Sequence, residues 1–187
     1  LSLGGGSTIT RGQAAILFYN LLFTNPKGNS DSYLVSLGGK KEDGGILLSV
    51  DATAPDGTSG AVKTTTGVYK TDRVPLDASL EGAQGSVLLD KDGKLLAFEP
   101  DEKLTRRAVS VSGTPKATYV NISGGERLDV KPETTVYQDG EAKTYEAVWQ
   151  DLKPGTPMTF CYTADGKLSY IFYRRTSSAE SAMVARA

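Results

Sequence analysis

The chain has 187 residues, of which 39% are hydrophobic and 23% charged, as in one large or two small globular domains. Its 21 basic and 22 acidic residues nearly cancel, so no net field favours nucleic acid or an anionic membrane as a partner. It has no histidine and one cysteine, Cys161, which excludes histidine-dependent hydrolases, histidine-ligated metals, thiolate clusters and an internal disulfide. We therefore expect no metal and no cofactor.

The first predicted element is a helix that begins near Thr10. Its apolar residues recur at the spacing of one helical face: Ala14, Leu17, Phe18, Leu21 and Leu22. Thr10 and Gln13 have the spacing of a capping box, in which both side chains satisfy free N–H groups at a helix start. The opposite face is also largely apolar, so we expect the helix to be covered on more than one side. The apolar stretch 14–23 is too short to span a bilayer, which takes about 20 residues, and no membrane insertion is predicted.

From residue 31 onward, short apolar or alternating runs are separated by glycine-rich turns, a pattern typical of β structure. Asp-Gly, a pair that favours two-residue type I′ hairpin turns, occurs at 43–44, 56–57, 92–93, 139–140 and 165–166. The clearest predicted hairpin joins 86–89 to 95–98. A second places Met158, Phe160 and Tyr162 on one strand face and Leu168, Tyr170 and Phe172 on the returning strand, with Cys161 facing the other way.

The two hairpins are corresponding parts of a weak internal repeat. Val68-Tyr69 leads to Asp92-Gly93-Lys94-Leu95, just as Val136-Tyr137 leads to Asp165-Gly166-Lys167-Leu168. We therefore predict a mainly β protein, in which an N-terminal α-helix precedes two small antiparallel β modules that resemble SH3-like or OB-like barrels or small sandwiches. The expected division is a helical region at 1–30, a first module at 31–113, a second at 114–175 and a tail at 176–187.

The N-terminal segment carries a family resemblance. The run Ser7-Thr8-Ile9-Thr10-Arg11-Gly12-Gln13, followed by an apolar helix to Leu22, resembles the closing helix of an S-layer homology repeat, whose signature is Ile-Thr-Arg-x-Glu/Gln. The resemblance covers about the first 24 residues. Because the chain opens on Leu1 without a methionine or a recognisable signal peptide, we expect a fragment of a longer or processed protein.

The resemblance implies an extracellular location at the cell wall of a Gram-positive bacterium, with a secondary cell-wall polysaccharide as partner. It makes Arg11 the contact to an anionic sugar, with Thr10 and Gln13 shaping the helix start. An anion site at this position is also expected on electrostatic grounds. A helix N-terminus offers free N–H groups and partial positive charge, and a guanidinium adds a bidentate hydrogen-bond donor for a carboxylate.

Four other patterns indicate possible sites less specifically. Glu99, Asp101 and Glu102 follow a strand and could supply the two carboxyl groups of a glycosidase, although a solvated loop is the simpler interpretation. Asp90-Lys91-Asp92-Gly93 has too few ligands for a calcium loop and indicates a hairpin turn. The pairs Arg106-Arg107 and Arg174-Arg175 indicate solvated edges or ion pairs. An aromatic group could form a carbohydrate-stacking platform or a core: Trp149, Phe160, Tyr162, Tyr170 and Phe172.

The expected function is a non-catalytic segment of a bacterial cell-surface protein, in which the β modules are spacers or present a ligand beside an anchoring region. Two alternatives stay open. An exposed aromatic strip would favour a carbohydrate- or peptidoglycan-binding module. Two facing carboxyl groups in a deep cleft would favour a histidine-free glycosidase.

Overall fold

The computed structural model describes residues 10–72 and 76–174. Helix α1 spans Arg11–Leu22, and its predicted capping box is present. The Thr10 hydroxyl accepts the Gln13 N–H at 3.2 Å, and the Gln13 side-chain oxygen accepts the Thr10 N–H at 3.0 Å. The preceding signature residues 7–9, Arg175 and the predicted tail 176–187 lie outside the described residues.

Most of the apolar surface of α1 is open to solvent, contrary to the expectation that it is covered. Ile16, Phe18 and Leu21 are 52%, 66% and 45% exposed. Only the C-terminal end of the helix reaches the sheet, where the Lys41 ammonium lies 5.8 Å from the ring centre of Phe23. A second short helix, α2 (Tyr33–Ser36), follows, with Leu34 buried. No described helix is long and apolar enough to cross a membrane.

The first module is a five-stranded antiparallel sheet in the order β3-β2-β1-β4-β5. Its strands are β1 (Lys40–Ala52), β2 (Ala61–Thr64), β3 (Val68–Tyr69), β4 (Gln84–Leu89) and β5 (Leu95–Pro100). A short 3-10 helix, Ala78–Leu80, lies between β3 and β4. One face buries a core built around Leu47, Val62 and Val87.

The second module is a five-stranded sheet in the order β10-β9-β12-β11-β6. Its elements are β6 (Thr105–Ser110), the separate hairpin β7 (Tyr119–Asn121) and β8 (Arg127–Asp129), β9 (Thr135–Gln138), β10 (Glu141–Thr144), α3 (Tyr145–Val148), a 3-10 helix (Trp149–Asp151), β11 (Pro157–Tyr162) and β12 (Leu168–Tyr173). The protein is therefore mainly β, as predicted.

Two details of the second sheet differ from the expected pair of antiparallel modules. Strands β9 and β12 are parallel, which the long connection between them allows, so this sheet is mixed. Strand β6 precedes the expected module limit at 113–114 but pairs with β11, and so it belongs to the second sheet.

Both predicted hairpins form, β4 with β5 and β11 with β12. Of the five Asp-Gly pairs, only Asp139-Gly140 has positive φ at both residues, 52° and 80°, as a two-residue type I′ turn requires. Asp43-Gly44 instead lies inside β1, where the pairing with β4 shifts register.

The strand faces of the second hairpin were predicted incompletely. Phe160 pairs with Ile171 and Cys161 pairs with Tyr170, so Tyr170 shares a face with Cys161 rather than with Phe160. The register shift between Cys161 and Tyr162 displaces the last pair, and a pattern read from each strand alone could not show this.

The two modules pack against each other through the Cys161 face of this hairpin. A buried cluster joins Ile46 and Leu48 of β1 to the second sheet residues Cys161, Tyr170 and Phe172. The Gly82 carbonyl accepts the Tyr170 hydroxyl at 2.8 Å and the Cys161 thiol at 3.5 Å. Because the other face carries the core of the second module, which includes Met158 and Phe160, the β11–β12 hairpin is buried on both sides.

The strand pairings agree with the predicted internal repeat in part, since the two hairpins correspond but β3 and β9 pair with different neighbours. In each module a hairpin follows a short helical turn, and its first strand also pairs with the first strand of the module: β4 with β1, and β11 with β6. The returning strand then meets a segment from the middle of the module. In the first module this contact is one hydrogen bond from the Leu95 N–H to the Lys70 carbonyl, whereas in the second it is the β9–β12 ladder.

Candidate functional site

The predicted polymer-binding residues lie together at the start of α1. Thr10 and Gln13 are engaged by the capping box, which uses their polar side-chain atoms within the helix start. Arg11 is exposed, and it makes no ion pair or side-chain hydrogen bond with any residue of 10–72 or 76–174. Thr10 and Gln13 hold the backbone that presents the Arg11 side chain at the helix start.

A cleft of about 740 Å³, the α1 cleft, lies between α1 and the first sheet. The acidic residues singled out in the sequence, Glu99, Asp101 and Glu102, all line it. Its other lining residues come from α1, β1, β4 and β5: Tyr19, Lys41, Asp43, Gly44, Gln84, Gly85, Ser86, Phe98 and Pro100. No local sequence signal brings these together, because Lys41 and Glu99 meet only through the pairing of β1 and β5 with β4.

Four carboxylates and a single cation, Lys41, line the α1 cleft, so its charge is mostly negative. The Lys41 ammonium lies 2.8 Å from Glu99 Oε2 and 3.8 Å from Asp43 Oδ1. The Ser86 hydroxyl donates to Asp43 Oδ1 at 2.7 Å. The hydrogen bond from Lys41 holds the pKa of Glu99 below its ordinary value, and the same bond raises the pKa of Lys41.

Tyr19 connects α1 to this ion pair. Burial, followed by a hydrogen bond to Glu99, raises the pKa of the Tyr19 phenol to about 12. Glu99 is therefore ionised and Lys41 protonated at neutral pH. A glycosidase pairs one protonated carboxyl group with one ionised carboxylate, and Glu99, which Lys41 keeps ionised, has only the second of these states. The contacts among Tyr19, Glu99 and Lys41 attach α1 to the sheet.

The aromatic group does not form a platform. Phe160, Tyr170 and Phe172 are 0%, 4% and 6% exposed. They also lie on opposite faces of the hairpin, since Phe160 belongs to the core of the second module and the other two to the layer between the modules. Trp149 and Tyr162 are half-buried against the second core. These rings are therefore packed in the interior, but they are divided between the second core and the layer between the modules instead of forming one core.

The remaining candidates are structural. Asp90 Oδ1 accepts the N–H groups of Asp92 and Lys94 at 2.8 and 2.9 Å, as a hairpin loop requires. Arg106 donates to the Ser79 carbonyl at 3.0 Å, and Arg107 forms an ion pair with Glu126. Within residues 10–72 and 76–174, no group of three or more acidic or cysteine side chains is placed to hold a metal ion.

No protein-family model matches the chain, and no curated protein matches it in sequence. The resemblance of residues 7–22 to an S-layer homology repeat therefore stays a prediction. Functional assignment depends on the exposed surface of α1, the clefts and the joined β modules.

Proposed function

We propose that this chain is a non-catalytic spacer segment of a bacterial cell-surface protein, with α1 belonging to its wall-anchoring region. The observation that carries the proposal is the exposed apolar surface of α1. Arg11 is the only charged residue in this helix, and Ile16, Phe18 and Leu21 remain 45–66% exposed. Contiguous exposed apolar surface marks an interaction site, and a closing helix of an S-layer homology repeat has such a site against its neighbouring helices.

The β modules support a spacer role because they are joined along a broad contact. Besides the buried layer around Cys161, Arg174 Nη2 lies 2.8 Å from Glu81 Oε1, and the Glu81 side chain is only 10% exposed. The same carboxylate accepts the Val50 N–H at 2.9 Å. A contact between modules that combines apolar packing with charge-assisted hydrogen bonds limits their relative motion. The two modules would therefore act together as a rigid spacer at the cell wall.

The site chemistry supports a binding rather than a catalytic role for the helix start. Arg11 extends into solvent beside the N-terminal amides of α1, where cation and helix dipole both favour an anionic sugar. Glu99, one of the carboxylates that line the α1 cleft, has a lowered pKa because Lys41 donates to it.

The test is retention on purified Gram-positive cell walls, with and without their secondary polymer. Three forms are compared: the natural chain, Arg11→Ala, and Lys27→Ala as a matched loss of one exposed cation just beyond α1. We expect the natural chain and Lys27→Ala to be retained equally on intact walls. Arg11→Ala should bind about tenfold more weakly, since a charge-assisted hydrogen bond contributes about 1.5–3 kcal/mol before solvent screening.

Retention that survives removal of the polymer, or that is equal for Arg11→Ala and the natural chain, would exclude Arg11 as the polymer contact. Absence of retention for all three forms would exclude wall binding by this segment. Thermal unfolding of each form, followed by circular dichroism, verifies that the comparison is made between folded proteins.

A further inference from the structure

A second cleft, of about 610 Å³, opens in the second module between the β8–β9 connection and the start of β12. We name it the Lys131 cleft. Its floor is aliphatic: Val130 is 3% exposed, Leu168 packs against the core of the module, and Pro132 completes the surface. The Pro132 carbonyl accepts the Glu146 N–H at 2.9 Å, so α3 holds this part of the floor in place. A preformed apolar floor of this size suits a small ligand.

The rim of the Lys131 cleft carries three cations and one carboxylate. Arg127 is held on two sides: its guanidinium lies 4.2 Å from the ring centre of Tyr119, and its Nε and Nη2 each lie 2.9 Å from Asp129 Oδ1. Lys167 is 2.7 Å from Asp165, outside the cleft. Lys131 makes no ion pair with another described residue. The rim therefore favours an anion, with Lys131 as the cation free to bind it.

The floor and rim together distinguish between kinds of anion. Saccharides generally stack on an exposed aromatic ring, whereas none of the residues that line this cleft is aromatic and the nearby Tyr119 ring is half-buried beside Arg127. An aliphatic side chain instead matches the half-buried Pro132 and Leu168, with the buried Val130 adding to the apolar character of the lining. We propose that the Lys131 cleft binds the carboxyl terminus of a peptide whose last residue is aliphatic, with the carboxylate at Lys131 and the side chain on the floor.

This proposal is independent of wall binding through Arg11, because Arg11 lies in α1 whereas the Lys131 cleft is formed entirely by the second module. The probe is the tripeptide N-acetyl-Gly-Gly-Leu, compared with the same peptide as its C-terminal amide. Titration into ¹⁵N-labelled protein should shift the amide signals of Val130, Lys131 and Leu168 with the acid only, with a Kd on the order of 1 mM. Raising the salt concentration should weaken binding, because the rim is open to solvent.

The variant that tests the rim is Lys131→Gln, with Lys153→Gln as the control because Lys153 is an exposed lysine outside the cleft. We expect Lys131→Gln to bind the acid peptide about tenfold more weakly and Lys153→Gln to bind it as the natural chain does. Equal shifts with the acid and the amide, or no shifts with either, would overturn the proposal. Tighter binding of trigalacturonate than of the peptide would overturn the choice of a peptide end.

Discussion

Gly82 is where the two modules meet most closely, and its replacement by alanine tests the joint directly. Gly82 has φ of +79°, a conformation that costs an alanine about 1–2 kcal/mol. A Cβ there would also lie 2.8 Å from Cγ and Cδ1 of Phe172, which is buried between the modules. Such overpacking costs about 1–3 kcal/mol. We expect Gly82→Ala to lower the free energy of unfolding by about 2–5 kcal/mol.

Gly57→Ala is the matched control. Gly57 has a similar φ of +86°, but nothing lies within 4 Å of the Cβ that alanine would add. It should therefore show only the conformational cost, about 1–2 kcal/mol. The difference between the two variants measures the contact with Phe172, and at this chain size about 2 kcal/mol corresponds to a Tm roughly 4–8 °C lower.

Urea unfolding of both variants, followed by circular dichroism and by the fluorescence of the single tryptophan, Trp149, provides the measurement. Trp149 packs against the core of the second module, whereas Gly82 belongs to the first. A loss of stability reported by Trp149 in Gly82→Ala would therefore show that the modules unfold together. A Gly82→Ala variant that is no less stable than Gly57→Ala would contradict the predicted clash with Phe172.

Three further outcomes are expected. Thr10→Ala removes the cap of α1 and should destabilise the helix by about 1 kcal/mol, seen as faster amide exchange in α1 with unchanged exchange in the sheets. Arg174→Ala leaves Glu81 at the module joint without its cation, so we expect the free energy of unfolding in urea to fall by about 1–2 kcal/mol. Arg107→Ala removes an ion pair that is exposed on both sides and should lower it by no more than about 0.5 kcal/mol. Burial raises the pKa of Tyr145 to about 12, whereas an unfolded tyrosine titrates near 10. Between about pH 10 and 12 the unfolded chain therefore loses this proton more readily than the folded one, and the free energy of unfolding should fall. The fall should be less steep in Tyr145→Phe. An identical pH profile for that variant would contradict the assignment.

Much of the local structure could be predicted because its causes lie within a few residues. Thr10 and Gln13 are three positions apart, and their capping hydrogen bonds form wherever the chain enters a helix there. The 86–98 hairpin follows from a glycine turn between two apolar runs. Glu99, Asp101 and Glu102 were interpreted as a solvated loop in preference to a catalytic pair, and the structure places all three on the lining of the α1 cleft.

What the carboxylates do was not predictable. The role of Glu99 depends on Lys41 and Tyr19, which arrive from two other elements and leave Glu99 ionised. The Lys131 cleft was missed for the same reason, since its floor joins residues about 36 positions apart, Pro132 and Leu168, in a loop and a strand that meet only after the sheet forms.

The sequence by itself predicted helix α1 and the β4–β5 and β11–β12 hairpins, since periodicity, capping residues and glycine turns act over short distances. It also excluded histidine and disulfide chemistry through composition alone. Only the tertiary structure decided that β9 runs parallel to β12, that β6 joins the second sheet and that α1 keeps an apolar face in solvent. These features depend on which distant surfaces pack best together, and a strand or helix with two apolar faces carries no local signal of which face will be covered.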